Sequence, residues 1–364
     1  MELFYKDFYY FFHLCVKLIM GVYMKSIYSM TITDLENFLI NSNIKKYRAS
    51  QIMDWLYIKR VNSFSEMTNL PKEVIGLLEE SFFFDKLEII DEQIDTDVNK
   101  YLIKLSDNNL IEAVLMNHNY GNSLCISTQV GCNMGCKFCE SGRLKKIRNL
   151  ESGELVLQIL KIEEKIKTRI SHVVIMGIGE PFDNYDNLIK FIEIVNYNKG
   201  INLGSRHITV STCGIVPKIK EFSELPFQVN LAISLHAPNN TIRDRIMNIN
   251  KAYKIEEVIN AVKNYLKKTN RRVTFEYIML DGVNDTKECA YSLAKLLKGI
   301  NGYVNLIPYN ETENISFKRS KKENILSFYD ILKKEKINVT IRREFGTNID
   351  AACGQLRAKG EVIK

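Results

Sequence analysis

Three cysteines spaced by three and then two residues are the strongest chemical signal in the chain: Cys132, Cys136 and Cys139, within Cys132-Asn133-Met134-Gly135-Cys136-Lys137-Phe138-Cys139. That spacing puts three thiols on one short loop, where all can face one metal centre. Structural zinc takes four closed ligands, usually from paired C-x2-C units, and no second pair exists here. Three cysteines suit a four-iron cluster whose remaining iron is open to another ligand, which implies chemistry beyond electron storage. A second candidate is Gly177-Ile178-Gly179-Glu180-Pro181, directly after the β-type run VVIM. Glycines at a strand end let backbone groups approach a small ligand, and Glu180 can bind an ammonium, although many such loops carry glycine for turn geometry alone.

Such ligands need a frame, and the chain supplies a regular one. β-rich runs near 124–129, 172–176, 207–212, 229–235, 272–279 and 303–308 alternate with amphipathic stretches near 153–168, 185–198, 216–224, 255–268, 287–299 and 322–335. Six βα units in succession predict an α/β fold with a parallel sheet, because each crossover returns the chain to the same end of the next strand. About 220 residues for six units favour a partial (βα)6 barrel open along one side; a doubly wound open sheet is the competitor. Both architectures place chemistry at C-terminal strand ends. A further strand near 338–343 leads into GTNIDAACGQL at 346–356.

Ahead of the barrel, Thr31 to about Ser81 reads as a small helical accessory domain, with Trp55 beside Tyr57 and a basic patch at Lys45, Lys46 and Arg48. Thr33-Asp34-Leu35-Glu36 looks like a capping box opening its first helix. Short runs over 87–117 suit antiparallel strands that bridge two domains. The expected divisions are an extension at 1–30 without a function, a helical accessory domain at 31–90, a β-rich connection at 91–117, the core barrel at 118–345 and a C-terminal segment at 346–364.

The chain has 364 residues, 46% hydrophobic and 26% charged, with six Pro and eighteen Gly scattered along it, which excludes collagen-like and disordered classes. A net charge of +7 permits a polyanionic partner without establishing one. No uncharged apolar stretch reaches the eighteen or so residues a spanning helix needs; residues 8–23 carry His13 and Lys17 and lack a cleavage pattern. The expectation is a cytoplasmic protein without stable membrane association, and in that setting eight cysteines are not a disulfide framework.

The cysteine spacing, with aromatic Phe138 before the last cysteine, resembles the radical S-adenosylmethionine superfamily. The resemblance implies that Cys132, Cys136 and Cys139 hold a [4Fe-4S] cluster, that S-adenosylmethionine chelates its open iron, and that an electron yields a 5′-deoxyadenosyl radical. The runs CISTQVGCNMGCKFC, RNL, IMGIGEP, VSTCGIVP, ISLHAPN, RIMNINKAY, EYIMLDGVND, VNLIPYN and IDAACGQLRAK further resemble the dual-specificity RNA adenine methyltransferases of the RlmN type, from about Thr31 to Lys359. This implies methylation at carbon 2 of one adenosine in the peptidyl-transferase region of 23S rRNA and of the adenosine after the anticodon in some tRNAs. It implies two molecules of S-adenosylmethionine per turnover: one methylates Cys353, the other activates that methyl group for addition to the base. A reductase, flavodoxin or ferredoxin would supply electrons, and the expected state is a monomer.

By the same resemblance Cys125 is the thiol that resolves the protein–RNA adduct, leaving a disulfide with Cys353, and Glu112 is the proton acceptor. Read alone, Cys125 on a β-run is a small buried hydrophobe, and Glu112 is an outward strand carboxylate. Gly179, Glu180, Ser211, Ser234, Leu235, His236 and Asn310 are carried over as contacts to S-adenosylmethionine; His236 alone reads as a hydrogen-bonded structural histidine. Cys213, where relatives more often carry serine, Cys289 and Cys15 read as packing residues. Arg143, Lys145, Lys146 and Arg148 are candidate RNA contacts, with Lys318, Arg319, Lys321 and Lys322 behind them, although a charge run is usually a solvated face. The segment Glu140–Ile147 departs from the small-residue version common in the family. The alternatives are the sister activity at carbon 8, a zinc-stabilised RNA-binding protein without catalysis, and a radical enzyme acting on another substrate.

Overall fold

A computed structural model describes residues 24–342 together with Gln355 and Leu356. Two compact units divide the chain between Asp85 and Lys86.

The first unit carries helices α1 (Ile32–Asn41), α2 (Arg48–Asp54) and α3 (Lys72–Ser81). Its capping box lies two residues earlier than expected. Thr31 Oγ1 accepts the Asp34 backbone N–H at 3.0 Å and Asp34 Oδ2 accepts that of Thr31 at 3.2 Å, so Thr33 and Glu36 are already helical. The expected boundary at residue 31 also needs correction. Lys25–Ser26 pairs in parallel with Phe82–Phe83, and Ile27 and Tyr28 are buried, so this stretch is part of the fold. Residues 1–23 of the expected extension lie outside the described residues.

The second unit is built on one ten-stranded sheet. Its strands are β1 (Glu88–Ile94), β2 (Val98–Lys104), β3 (Leu110–His118), β4 (Gly121–Cys125), β5 (Ile170–Ile175), β6 (Ile208–Thr212), β7 (Asn230–Ser234), β8 (Val273–Met279), β9 (Gly302–Pro308) and β10 (Asn338–Ile341). They lie in chain order across the sheet. β1 to β4 form an antiparallel meander, and β4 to β10 run parallel. The segment expected to bridge two domains is therefore hydrogen-bonded into the sheet itself.

Six crossovers carry helices α4 (Ser152–Ile166), α5 (Tyr185–Asn196), α6 (Val216–Phe222), α7 (Asn240–Ile246) with α8 (Ile255–Thr269), α9 (Lys287–Leu297) and α10 (Lys322–Lys334). The short α7 is the element the alternation did not announce. Ser123 of β4 and Asn305 of β9, five strands apart, line one cavity, so the sheet curls into a partial barrel. β10 pairs with β9 alone, leaving the barrel open along that edge.

Candidate active site

The cysteine loop leaves the C-terminal end of β4 and is closed at its base by a ribbon pairing Gln129–Val130 with Arg148–Asn149. Inside it, Cys132 N–H donates to Leu144 O at 3.0 Å, and Lys137 N–H donates to Ile246 O at 3.0 Å. Gly131 sits at φ +76, where an added Cβ would meet Lys145 O at 2.3 Å. Cys132, Cys136 and Cys139 are half-buried and line one cavity of about 880 Å³, mouth included. Burial, with the neighbouring Cys139 and Glu180, pushes the Cys132 thiol up to about 12, and burial beside Cys139 and Cys132 lifts Cys136 well above its ordinary range. Two desolvated thiols in electrostatic contact with each other and with Cys139 are the setting that metal ligation relieves, because it deprotonates them. Among the described residues no group of three or more Cys, His, Asp or Glu converges on a single ion. A cubane takes one thiolate per iron and spaces its cysteines more widely, so these residues fit a cluster better than zinc.

Opposite the cysteines stands the loop after β5. A Cβ on Gly177 would lie 2.6 Å from Ile126 O and 2.8 Å from Ser127 N, so this glycine serves close packing of neighbouring strand ends. Gly179 sits at φ +107 against Gln129 and lines the cavity. Glu180 is buried, its Oε1 accepting Phe182 N–H at 3.0 Å and its Oε2 accepting Cys213 N–H at 2.8 Å. Burial raises its pKa against those hydrogen bonds, leaving a carboxylate that a cationic ligand would hold in its charged form.

Ser211 and Ser234, on adjacent strands, lie 3.1 Å apart through their hydroxyls on the same wall. His236 follows at φ +54, and its Nδ1 accepts Ile278 N–H at 3.1 Å, which leaves Nε2 as the N–H donor. Burial, with the Arg243 charge adding to it, holds its pKa down to about 3. Its ring meets Phe138 edge to face, with centroids 4.9 Å apart. The aromatic residue before the last cysteine is thus a packing partner of His236. Leu235 is fully buried and Asn310 half-buried just past β9, and neither is among the residues lining the cavity.

Glu112 and Cys125 share a face of the meander. Val114 pairs directly with both Cys125 and Lys100, and Glu112 lies two residues along from Val114. Glu112 is buried, with Lys100 Nζ 3.5 Å from its Oε1. Cys125 packs in an apolar cluster with Val98, Val114, Met116, Ile178 and Leu356. Leu356 is anchored there by its carbonyl, which accepts Ser141 Oγ–H at 2.6 Å, and Gln355 Nε2 donates to Glu311 O at 3.3 Å. Cys353 lies outside the described residues. Cys125 is buried, and Cys213 and Cys289 are buried free thiols.

The basic run divides. Arg148 forks onto Glu154 at 2.7 and 2.8 Å and reaches Asp107 at 2.6 Å, while Lys146 pairs with Asp183 at 2.7 Å. These two cations brace the ribbon and α4. Lys145 and Arg143 are exposed, and Arg143 also donates to Asn314 O.

Three supports carried no signal in single-residue spacing. Fully buried Arg243 donates to Cys213 O and Leu235 O and to Asn250 Oδ1, tying together the loops after β6 and β7. Buried Gln158 of α4 exchanges two hydrogen bonds with the backbone of Ser127. Glu276 lies buried in the barrel, hydrogen-bonded by Asn305 at 3.0 Å. A sequence signal existed for Glu276 alone, a charge inside the apolar run VTFEYIML, whereas Arg243 stands among polar neighbours.

Fold and site together define a radical S-adenosylmethionine enzyme: the model of the Radical SAM superfamily matches residues 126–292, and that of the ribosomal RNA large subunit methyltransferase N-terminal domain matches 26–83. The chain is 55% identical over 334 residues to a protein of Acholeplasma laidlawii named "Probable dual-specificity RNA methyltransferase RlmN", covering 92% of this chain and 99% of that one. A relative of the same name from Spiroplasma citri is 54% identical over 344 residues, covering 93% and 99%. A crystal structure of a radical SAM methyltransferase from Sphaerobacter thermophilus superposes with a TM-score of 0.86 at 40% identity, over 92% of this chain and all of that one. The chain belongs to the RlmN family of dual-specificity RNA methyltransferases. Enzymes of the wider superfamily use a [4Fe-4S] cluster with S-adenosylmethionine. No helix among the described residues is long and apolar enough to cross a membrane.

Proposed function

We propose that this chain methylates carbon 2 of an adenosine in 23S rRNA and of the adenosine 3′ to the anticodon in certain tRNAs, through a methyl group carried on Cys353. The observation that carries the reading is the docking of Leu356 against Cys125 on the face that also bears Glu112. Two residues, Gly354 and Gln355, separate Leu356 from Cys353, three Cα steps that reach at most about 11 Å. Cys125 and Glu112 share one end of the barrel with the cysteine loop, and so short a tether lets Cys353 reach them.

An iron–sulfur cluster together with S-adenosylmethionine would supply the one-electron chemistry that takes a hydrogen atom from an otherwise inert methyl group. Cys132, Cys136 and Cys139 hold the cluster; Gly179, Glu180, Ser211, Ser234 and His236 face the space beside it and bind the sulfonium ligand. Leu235 and Asn310 support those strand ends. Cys353 takes a methyl from one S-adenosylmethionine by displacement, with S-adenosylhomocysteine leaving, and that carbon, after losing one hydrogen atom, joins to the adenine. Glu112 accepts a proton from the adduct, and Cys125 attacks the Cys353 sulfur, releasing methylated RNA and leaving a disulfide. The adenine is unstacked to enter. Arg143 and Lys145 contact phosphate, as do Lys45, Lys46 and Arg48 of the accessory unit. A cytoplasmic monomer drawing electrons from a flavodoxin, ferredoxin or reductase fits this chemistry.

Anaerobic incubation of the iron-loaded Cys125→Ala variant with target RNA tests the reading. A covalent protein–RNA adduct through Cys353 is expected, and absence of any adduct would overturn it. Mass spectrometric mapping of the methylated base in wild-type product separates carbon 2 from carbon 8.

A further inference from the structure

We infer that Ser141 is a positioning residue through which the cysteine loop holds the C-terminal segment, so that filling the loop with its cluster also fixes the stretch that presents Cys353. The inference rests on the proposed roles of Cys132, Cys136 and Cys139 as cluster ligands and of Cys353 as methyl carrier. Ser141 Oγ–H donates to Leu356 O at 2.6 Å across 215 positions of chain, and both residues are buried. A buried carbonyl held by a hydroxyl depends on where that hydroxyl is put.

The three cysteines put it there. Ser141 stands two residues past Cys139 and opens the tight turn Ser141–Arg143. Gly142 N–H donates to Cys139 O at 3.1 Å, and a Cβ on Gly142 would meet Cys136 O at 2.7 Å and Cys136 N at 2.9 Å. On the far side Leu144 N–H donates to Ser141 O at 3.2 Å, while Leu144 O accepts Cys132 N–H at 3.0 Å. A rearrangement of the cysteine loop therefore moves the hydroxyl. Loops that supply metal ligands are rarely preformed without the metal, so loading orders the turn. The loop after β9 closes the set: Arg143 donates to Asn314 O, Asn314 Nδ2 donates to Glu140 Oε1 at 3.4 Å, and Gln355 Nε2 donates to Glu311 O at 3.3 Å. Glu140 and Arg143 fasten that loop while Ser141 fastens the tail. Such coupling is reciprocal, and the docked tail favours the filled form of the loop.

Hydrogen exchange of the peptide carrying Gln355 and Leu356, read by mass spectrometry without RNA, tests the inference on metal-free and iron-loaded full chains. Loading is expected to slow exchange there roughly tenfold in the wild type. At equal iron content Ser141→Ala is expected to lose most of that protection, one net hydrogen bond being worth roughly a factor of two to ten. Ser141→Thr, which keeps the hydroxyl, restores it. Equal protection of loaded wild type and loaded Ser141→Ala, or wild-type exchange unmoved by loading, overturns the inference. A tail loosened by Ser141→Ala to the same extent with and without iron marks a merely structural contact and overturns it too. Ser141→Gly gives the same comparison should the alanine variant not take up iron. Failure of the underlying readings shows elsewhere: a wild-type chain that binds no iron refutes the cluster ligands, and a Cys353→Ala variant that still methylates RNA refutes the methyl carrier while the exchange result stands.

Discussion

The Glu180 carboxylate and the Cys213 backbone N–H meet at 2.8 Å, so the loop after β5 is tied to the loop after β6 by the group that faces the cysteines. Phe182 N–H occupies the other oxygen at 3.0 Å. Glu180→Gln turns one acceptor into a donor aimed at a donor, which costs about 1–3 kcal/mol for the buried group left unmatched. It also removes the charge that a sulfonium amino acid would meet. Binding of S-adenosylmethionine to the iron-loaded variant, followed by equilibrium dialysis, is expected to fall at least tenfold, with a lower melting temperature.

Gly177 admits no side chain, because the atoms around its missing Cβ are backbone atoms of Ile126 and Ser127. Gly177→Ala is expected to destabilise the second unit by about 1–3 kcal/mol. Gly76, inside α3 with nothing within 4 Å of its would-be Cβ, is the contrast. Gly76→Ala should stabilise the first unit by about 0.5–1 kcal/mol. Thermal unfolding of each variant reads both signs.

His236 stays neutral across the physiological range, with its pKa held down to about 3. The unfolded chain binds a proton there below about 6.5 and the folded chain does not. Its contribution to stability is therefore complete above that pH and declines as pH falls toward 3, by about 1.4 kcal/mol per unit. His236→Gln, which can still accept Ile278 N–H, should flatten this part of the curve in denaturant titrations between pH 4 and 7.

Exposed Arg143 and Lys145 differ from buttressed Lys146 and Arg148 in what their loss should do. Arg143→Ala with Lys145→Ala is expected to weaken RNA binding and reduce the slope of log affinity against log salt by up to about two. Arg148→Ala strands buried Glu154, the residue that also accepts Glu151 N–H at the start of α4. It should lower the melting temperature and leave that slope unchanged.

Leu356 fastens the C-terminal segment beside Cys125. Leu356→Ser is expected to leave S-adenosylmethionine cleavage without RNA intact and cut RNA methylation at least tenfold. Equal loss of both reactions would refute a role confined to the tail.

Much of this was legible in the chain because the signals were local. The β4 to β9 strands and the long helices betray themselves by alternation, and the cysteine loop by spacing that few structures need. What stayed hidden depends on distant partners. That β1 to β3 extend the barrel sheet is decided by pairing between β4 and β5. Thr31 and Thr33 are equally good caps until Asp34 turns back to one of them. Arg148 looks like an RNA contact until Asp107 and Glu154 arrive from other segments. Gly177 looks like a ligand cradle until Ile126 occupies the space beside it.

Because every strand of the large sheet lies beside its neighbour in sequence, assembly can keep pace with translation. Each strand leaving the ribosome finds its template already laid down, and the open edge waits only for the strand that comes next. Glu112 and Cys125, proposed as base and resolving thiol, are mounted first, and the proposed iron ligands Cys132, Cys136 and Cys139 next. Cys353, proposed to meet the nucleobase, emerges last, so on that reading a nascent chain is equipped for metal before it is armed against RNA.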